Sequence, residues 1–179
     1  LPNLTKDKLR ITTFRLINAD SRNFNFNDTV KYIFMAQDMM HLLINDGIIA
    51  EGESCIFDAK DFSIWHFLKL GPAISTVRLF MRYVQEAVPH RLTQNHFVNC
   101  SPVLMKIIAL IRPFIDKELC DSMHFHTSGY DSLYEFLPKE SLPIDYGGLL
   151  GPLDEFYDKT LEAMDDKRDC LRDDGNWGL

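Results

Sequence analysis

The sequence lacks the short motifs that mark the commonest nucleotide-dependent and hydrolytic enzymes. It contains no GxxxxGK[ST], and no GxGxxG follows a predicted strand, so neither a P-loop nor a dinucleotide-binding turn is indicated. It also has no GxSxG nucleophile elbow and no HExxH zinc-peptidase motif. These absences leave almost no signal for catalysis.

Cysteine is scarce, and acidic residues outnumber basic ones. The four cysteines, at 55, 100, 120 and 170, form neither a CxxC pair nor a zinc-ligand spacing, which fits a reducing, cytoplasmic compartment without a metal. The 19 Lys and Arg against 26 Asp and Glu give a net charge of −7, which makes nucleic acid a poor partner. No uninterrupted apolar stretch approaches about 18 residues, so a transmembrane helix is not expected.

The 179 residues alternate between strand-like and helix-like segments, in a length typical of one domain. This alternation predicts βαβ units, hence an α/β fold with a mixed, mostly parallel sheet flanked by helices. The predicted strands are 9–16, 54–57, 95–99 and 123–126. The predicted helices are 28–45, 63–87 with a break at Gly71-Pro72, 102–111, 132–137 and 153–170.

The segment Pro102–Ile111 (PVLMKIIALI) is apolar around its whole circumference except at Lys106. Such a helix is either fully buried or covers something apolar that is not always protein. From the residues alone, two interpretations stay open. One is a core helix, and the other is a lid with an inner face on a cavity and an outer face on a membrane.

A few polar residues could support chemistry, but their spacing is weak. Asp58, Asp61 and His66 could form an acid–base set, although an Asp after a strand more often caps a turn. His124 and His126 share one strand face and could form a metal site with His96. No carboxylate or cysteine stands at a ligand spacing beside them, which favours hydrogen-bonded rings at a sheet end.

Four motifs in order resemble the lipid-binding domain of the CRAL-TRIO, or Sec14-like, family. The family's Gly-x5-Asp strand is matched by GESCIFD at 52–58, and its aromatic-Pro-x-Arg…Ile-Asn-x-Pro segment by VPHRLTQNHFVNCSP at 88–102. Its Lys-Pro-Phe-Leu is matched by IRPFI at 111–115, and its closing Leu-Pro-x-Glu-Tyr-Gly-Gly by LPKESLPIDYGG at 137–148. The resemblance is greatest to the α-tocopherol transfer and retinaldehyde-binding branch, including its insect members.

The resemblance implies a deep hydrophobic pocket over the sheet, with the 102–111 helix as a mobile gate. It also implies ligand contacts from the first helix, the Gly-x5-Asp strand, the helix before the Pro-x-Arg motif, and the gate. The matching positions are Tyr32, Met35, Met39, Phe57, Phe80, Tyr83, Val84, Val88, Leu104, Ile107, Ile108 and Ile111. Met35 and Met39 stand where tocopherol transfer protein has small polar residues, which favours a differently shaped ligand.

The same branch uses a basic face to bind phosphoinositide head groups. Arg91 and Arg112 match two of those basic positions, whereas Thr93, Glu118 and Ser122 depart from three others. The yeast-type phosphatidylinositol transfer proteins carry a Lys where Asp145 stands here, which argues against phosphatidylinositol as the cargo.

These observations predict a monomeric, non-enzymatic carrier without a cofactor. It would transfer a retinoid, tocopherol, carotenoid or similar lipid between membranes, with peripheral membrane contact. The predicted domain core is 1–151, with a C-terminal helix and tail, 152–179, packing on it. The family's usual preceding helical bundle is expected to be missing from this chain. A phosphoinositide-binding adaptor is the main alternative, and an α/β enzyme with an unrecognised site is the third.

Overall fold

A computed structural model describes Leu1 and residues 3–43, 50–87 and 92–169 of the chain. The strands are β1 (Leu9–Arg15), β2 (Gly52–Asp58), β3 (Leu92–Val98) and β4 (Met123–His126). The α-helices of the described residues are α1 (Phe26–Leu43), α2 (Ile64–Leu68), α3 (Ile74–Arg82), α4 (Pro102–Ile111), α5 (Lys117–Asp121) and α6 (Leu153–Asp166).

The described strands form one sheet in the order β1-β2-β3-β4, and every neighbouring pair is parallel. This confirms the predicted α/β class with a mainly parallel sheet. Because parallel neighbours that follow one another in sequence are joined by crossovers of one hand, their connecting helices lie on a single face. The other face must therefore be covered by a different part of the chain.

That other face, called here the sealed face, carries the fully buried side chains of Ile11, Ile56 and Val98. Its cover is the segment from Tyr130 to the start of α6. This segment contributes the buried residues Leu133, Leu137, Leu142, Tyr146 and Leu153 to the same hydrophobic core. Leu153 begins α6, so the first turn of the C-terminal helix packs on the domain, while residues 170–179 lie outside the described residues.

The Gly147-Gly148 pair allows close backbone contacts within this covering segment. Gly147 adopts a left-handed conformation with φ of 69°, and a Cβ at Gly148 would lie 1.9 Å from the carbonyl oxygen of Leu142. Asp145 accepts hydrogen bonds from Arg15 at 3.1 Å and from the backbone N–H of Leu153 at 2.8 Å. Asp145, which stands where the yeast-type phosphatidylinositol transfer proteins carry a lysine, therefore links β1 to the start of α6.

Several predicted helix bounds are confirmed, and the prediction of one helix is wrong. The break at Gly71-Pro72 separates α2 from α3, and Pro102 opens α4, where the Ser101 hydroxyl caps the Leu104 N–H at 3.2 Å. The predicted helix at 132–137 is instead a series of turns with mixed hydrogen-bond spacing. Its two leucines, Leu133 and Leu137, are both drawn into the sealed-face core, and this tertiary anchoring overrides the local helical pattern.

Two other local expectations differ from the structure. The predicted 63–87 helix continues only to Arg82, after which Tyr83–Ala87 forms a π-helical turn. The short helix α5 was not predicted, because five residues are too few for a periodic apolar pattern. Neither difference changes the sheet.

Candidate functional site

Four phenylalanines form a continuous ladder across the sheet on the face opposite the sealed face. Phe14, Phe57, Phe97 and Phe125 occupy matching register positions on β1, β2, β3 and β4. Successive ring centroids are 5.2, 5.0 and 5.0 Å apart, and the ring planes lie within 20° of parallel. We call this row the phenylalanine ladder, and its side of the sheet the ladder face.

The ladder rings and the sealed-face core differ in burial, although Glu53, Cys55 and Asn95, which also lie on the ladder face, are buried. The sealed-face residues Ile11, Ile56 and Val98 are fully buried, whereas all four ladder rings retain part of their solvent exposure in the described structure. Crossover geometry places the connecting helices over the ladder, so this accessible aromatic surface lies on the helix side of the sheet. A large apolar surface left accessible in this way is typical of a ligand-binding or interaction surface.

Only Phe57 of the ladder was among the predicted ligand contacts. The other three were missed. Each lies within the last three residues of its predicted strand, as Phe57 does, but the predicted bounds give the four no common position. Only the observed register makes each the penultimate residue of its strand and aligns them as a row.

A second aromatic cluster lies between α1 and the end of α3. The Phe34 ring lies 6.4 Å from Phe80 and 4.4 Å from Tyr83, and Phe26 lies 6.2 Å from Phe80. The predicted contacts Phe80 and Tyr83 therefore come together, with Val84 half-buried beyond them. Their partners on α1 are Phe34 and Phe26, which were not among the predicted contacts.

The predicted contacts on α1 are divided by the structure. Met39 is buried, but Tyr32 and Met35 retain 36% and 46% of their exposure. The buried stripe of α1 instead runs through Val30 and Gln37, seven residues apart. Gln37 is a polar residue in an otherwise apolar stripe. This break in the apolar pattern was the sequence signal that could have identified Gln37 as a functional candidate.

The helix α4 buries one side and exposes the other. Ile107 and Ile108 are buried and Leu104 is half-buried, whereas Val103 is exposed. Ile111 is described only as the last backbone position of α4, and Val88 lies outside the described residues. A helix of this kind, with apolar residues on both its buried and exposed sides, fits the geometry expected of a gate.

The basic positions implied by the resemblance are only partly described. Arg112 is exposed at the C-cap of α4, and Arg91 lies outside the described residues. The three positions that depart from the basic pattern, Thr93, Glu118 and Ser122, lie on β3, on α5 and at the C-cap of α5.

Two of the three residues considered for catalysis, Asp58 and His66, make local hydrogen bonds, and Asp61 adopts a left-handed conformation with φ of 66°. Asp58 accepts from the Lys60 N–H at 2.9 Å and from the Asn99 amide at 2.7 Å, as expected for a carboxylate that caps a turn. The Nδ1 of His66 accepts from the Ser63 N–H at 3.1 Å at the start of α2.

The histidines at the end of the sheet bond to one another on the sealed face. The Nδ1 of His96 lies 3.0 Å from the Nε2 of His126, and His124 stacks on His96 at 5.2 Å. Burial, followed by the charges of His126 and His124, lowers the pKa of His96 to about 3. Within the described residues, no group of three or more His, Cys, Asp and Glu side chains is arranged to hold a metal ion.

Two negative observations concern the surface. A cleft of about 560 Å3 lies beside the loop before α1 and the α2–α3 connection, and none of the predicted ligand contacts that the structure describes lines it. None of the helices described is both long and apolar enough to cross a membrane.

The comparisons with known proteins agree with this architecture. The sequence-family model of the CRAL/TRIO domain matches residues 1–148 of this chain. Clavesin-2 of Homo sapiens is 27% identical over 154 residues, which cover 86% of this chain and 46% of that protein. Clavesin-1 of Rattus norvegicus is 29% identical over 138 residues, covering 76% and 38%. An alpha-tocopherol transfer protein-like protein of Pongo abelii is 26% identical over 145 residues, covering 80% and 41%.

The chain thus spans less than half the length of these curated relatives. The family match covers most of the chain, and it includes all four strands and the gate-like helix α4. The chain therefore belongs to the CRAL/TRIO domain family of lipid-binding and lipid-transfer proteins.

Proposed function

We propose that this domain is a non-enzymatic carrier of a hydrophobic small molecule, a retinoid, tocopherol or similar isoprenoid lipid. The observation that carries the proposal is the half-buried phenylalanine ladder on the helix side of a sheet whose other side is sealed. Because the rings stack face to face across the strands, the ladder presents a continuous row of apolar ring edges, on which an extended hydrocarbon skeleton can pack.

The ligand would lie between the ladder and the helices. Phe57 supplies part of the floor, while Met39, Phe80, Tyr83 and Val84 supply one wall. The gate residues Leu104, Ile107, Ile108 and Ile111 of α4 form the opposite wall, and Val88 belongs to the same proposed set. Burying a large isoprenoid would contribute on the order of 10 kcal/mol gross at about 25 cal/mol per Å2, most of which offsets what the ligand gains in a bilayer.

Release of such a ligand requires contact with a membrane. On the short helix α2, the apolar side chains of Ile64, Trp65 and Leu68 are all exposed, with Trp65 at 64%. Tryptophan favours the membrane–water interface, where its apolar ring and polar N–H are both accommodated. We infer that α2 and the exposed side of α4, at Val103, make the peripheral membrane contact.

Organic extraction and mass spectrometry of the purified, untagged protein test the carrier proposal. One isoprenoid molecule per chain, confirmed by native mass spectrometry, is the expected result. A protein that is isolated empty, and that binds neither retinol nor α-tocopherol when titrated, would overturn the proposal for this domain.

The alternative of a phosphoinositide-binding adaptor makes a different prediction. There, Arg112→Ala or Arg91→Ala would abolish binding to phosphoinositide vesicles and leave the isoprenoid content unchanged. A phosphoinositide extracted at one per chain would favour this adaptor over the carrier. Arg112, which is exposed at the C-cap of α4, is the first position to test.

A further inference from the structure

A buried polar cluster lies on the ladder face at the start of β2. The Glu53 side chain is only 1% exposed, and its carboxylate accepts hydrogen bonds from the Thr12 hydroxyl of β1 and, at 3.3 Å, from the Gln37 amide of α1. We call Thr12, Gln37 and Glu53 the acceptor cluster, because the Glu53 carboxylate and the Gln37 side-chain oxygen are hydrogen-bond acceptors.

The orientation of the Gln37 amide is fixed by its neighbour. If the amide were reversed, its oxygen would face the carboxylate of Glu53 instead of donating to it. In the observed orientation, the Gln37 Oε1 is buried and has no hydrogen-bond partner among the residues that the structure describes, and the residue is only 6% exposed. A buried acceptor without a donor is costly, so its presence points to a donor that is supplied from elsewhere.

The position of the cluster relates it to the ladder. Residues 53, 55 and 57 alternate onto the same face of β2, so Glu53 lies on the side that carries Phe57, with Cys55 between them. Four residues of strand separate the two by about 13 Å at about 3.3 Å per residue. An extended hydrophobic molecule on the ladder would reach the acceptor cluster by displacing the cover of Cys55, which is only 3% exposed.

The end groups of candidate ligands differ in whether they can donate a hydrogen bond to this acceptor. An aldehyde or ester would bring only further acceptors, whereas a hydroxyl can donate to the Gln37 Oε1.

We propose that the acceptor cluster binds the hydroxyl group of the ligand, so that the domain selects a hydrophobic alcohol over the matching aldehyde, ether or ester. This inference rests on the proposed carrier function and narrows its ligand class. The apolar body is held by the ladder, and the Gln37 Oε1 provides the hydrogen-bond acceptor that discriminates between end groups.

Two matched pairs of probes test the inference on the wild-type protein. Retinol and retinal share one skeleton but differ in whether the terminal oxygen carries a proton, and α-tocopherol and its methyl ether form the second pair. Bound probe is quantified by extraction after gel filtration over a range of concentrations. We expect the alcohol to bind about tenfold to a hundredfold more tightly in the pair whose skeleton fits, from the cost of leaving a buried acceptor unpaired.

The variant Gln37→Met removes the acceptor while keeping the length of the side chain. It should erase the alcohol preference and leave the affinity for retinal or the ether nearly unchanged. The matched control is Gln94→Met, the same replacement on the sealed face, which should keep the preference. Should Gln37→Met fail to fold, the wild-type pairs alone decide the question.

The outcomes separate the inference from the proposed function. Equal binding within both pairs, or a preference that persists in Gln37→Met, overturns the hydroxyl-binding role and leaves the carrier function standing. If no member of either pair binds, the carrier function itself fails and the inference fails with it.

Discussion

Acidification should destabilise the domain through the buried histidine chain of the sealed face. The Oγ of Ser132 lies 2.7 Å from the Nδ1 of His126, whose Nε2 lies 3.0 Å from the Nδ1 of His96. The Nε2 of His96 lies 3.3 Å from the Gln94 side-chain oxygen, which can only accept. Each ring therefore carries its proton on Nε2, and a second proton on His96 would face the N–H of His126.

The size of the effect follows from the pKa of His96. Burial, and then the nearby His126 and His124, lower that pKa from 6.5 to about 3. The unfolded chain thus binds a proton below pH 6.5 that the folded protein does not bind until about pH 3. Stability is therefore complete above pH 6.5 and declines by about 1.4 kcal/mol per pH unit below it. Between pH 7 and pH 5, His96 alone should lower the free energy of unfolding by about 2 kcal/mol.

The neighbouring histidines shift in the same direction. Burial lowers the pKa of His124, and burial together with the charge of His124 lowers that of His126, while Glu135 opposes the shift at His126. Both shifts have the same sign as that of His96, so protonation of either ring also disfavours the folded state at low pH.

Urea denaturation followed by circular dichroism at pH 7, 6 and 5 measures this dependence. His96→Gln keeps an acceptor for the His126 N–H but cannot be protonated, so its loss of stability between pH 7 and pH 5 should be about 2 kcal/mol smaller than in the wild type. Equal losses in the two proteins would refute the reasoning. So would an NMR titration in which His96 takes up its proton near pH 6.

Four further changes test other parts of the structure. Phe57→Ala should weaken isoprenoid binding about tenfold in equilibrium titrations, since about 60 Å2 of lost apolar contact is worth about 1.5 kcal/mol; unchanged affinity would show that the ladder is not the floor of the site. Trp65→Glu should reduce sedimentation with vesicles while leaving the bound ligand in place, and loss of both would instead indicate damage to the fold. Ser101→Ala should lower the free energy of unfolding by about 1 kcal/mol through loss of the α4 N-cap, whereas no change in the urea midpoint would contradict that role. Gly148→Ala should destabilise by about 2 to 4 kcal/mol, because its Cβ would lie 1.9 Å from the Leu142 carbonyl oxygen, and a normal thermal midpoint would show that the turn can relax.

The local elements were largely predictable because their signals are short-range. Proline at the start of α4, the break at Gly71-Pro72 and the β-branched strands act within a few residues, and the structure confirms each of them. The order of four motifs also predicted the family, which the match over residues 1–148 confirms. The individual ligand contacts stay predictions, since a resemblance gives the element but not which side of it faces the ligand.

Only the tertiary structure shows which side of each element packs against its neighbours. On α1, Tyr32 and Phe34 differ by two positions, and only the docking of α3 determines that Phe34 meets Phe80 and Tyr83. In the segment after β4, Leu133 and Leu137 follow a helical spacing, yet packing onto the sheet holds them in turns. At such positions, the free energy gained by burying an apolar side chain exceeds the free energy of the local helix preference.

By itself, the sequence determined the α/β class, the strand and helix order, the family, and the apolar gate-like helix, because periodicity and motifs are properties of contiguous residues. Only the tertiary structure aligned Phe14, Phe57, Phe97 and Phe125 into one ladder and brought Gln37 to Glu53. Neighbouring rings of the ladder lie 28 to 43 residues apart along the chain, so they align only when the packing of the whole sheet fixes the register, and no local pattern contains that register.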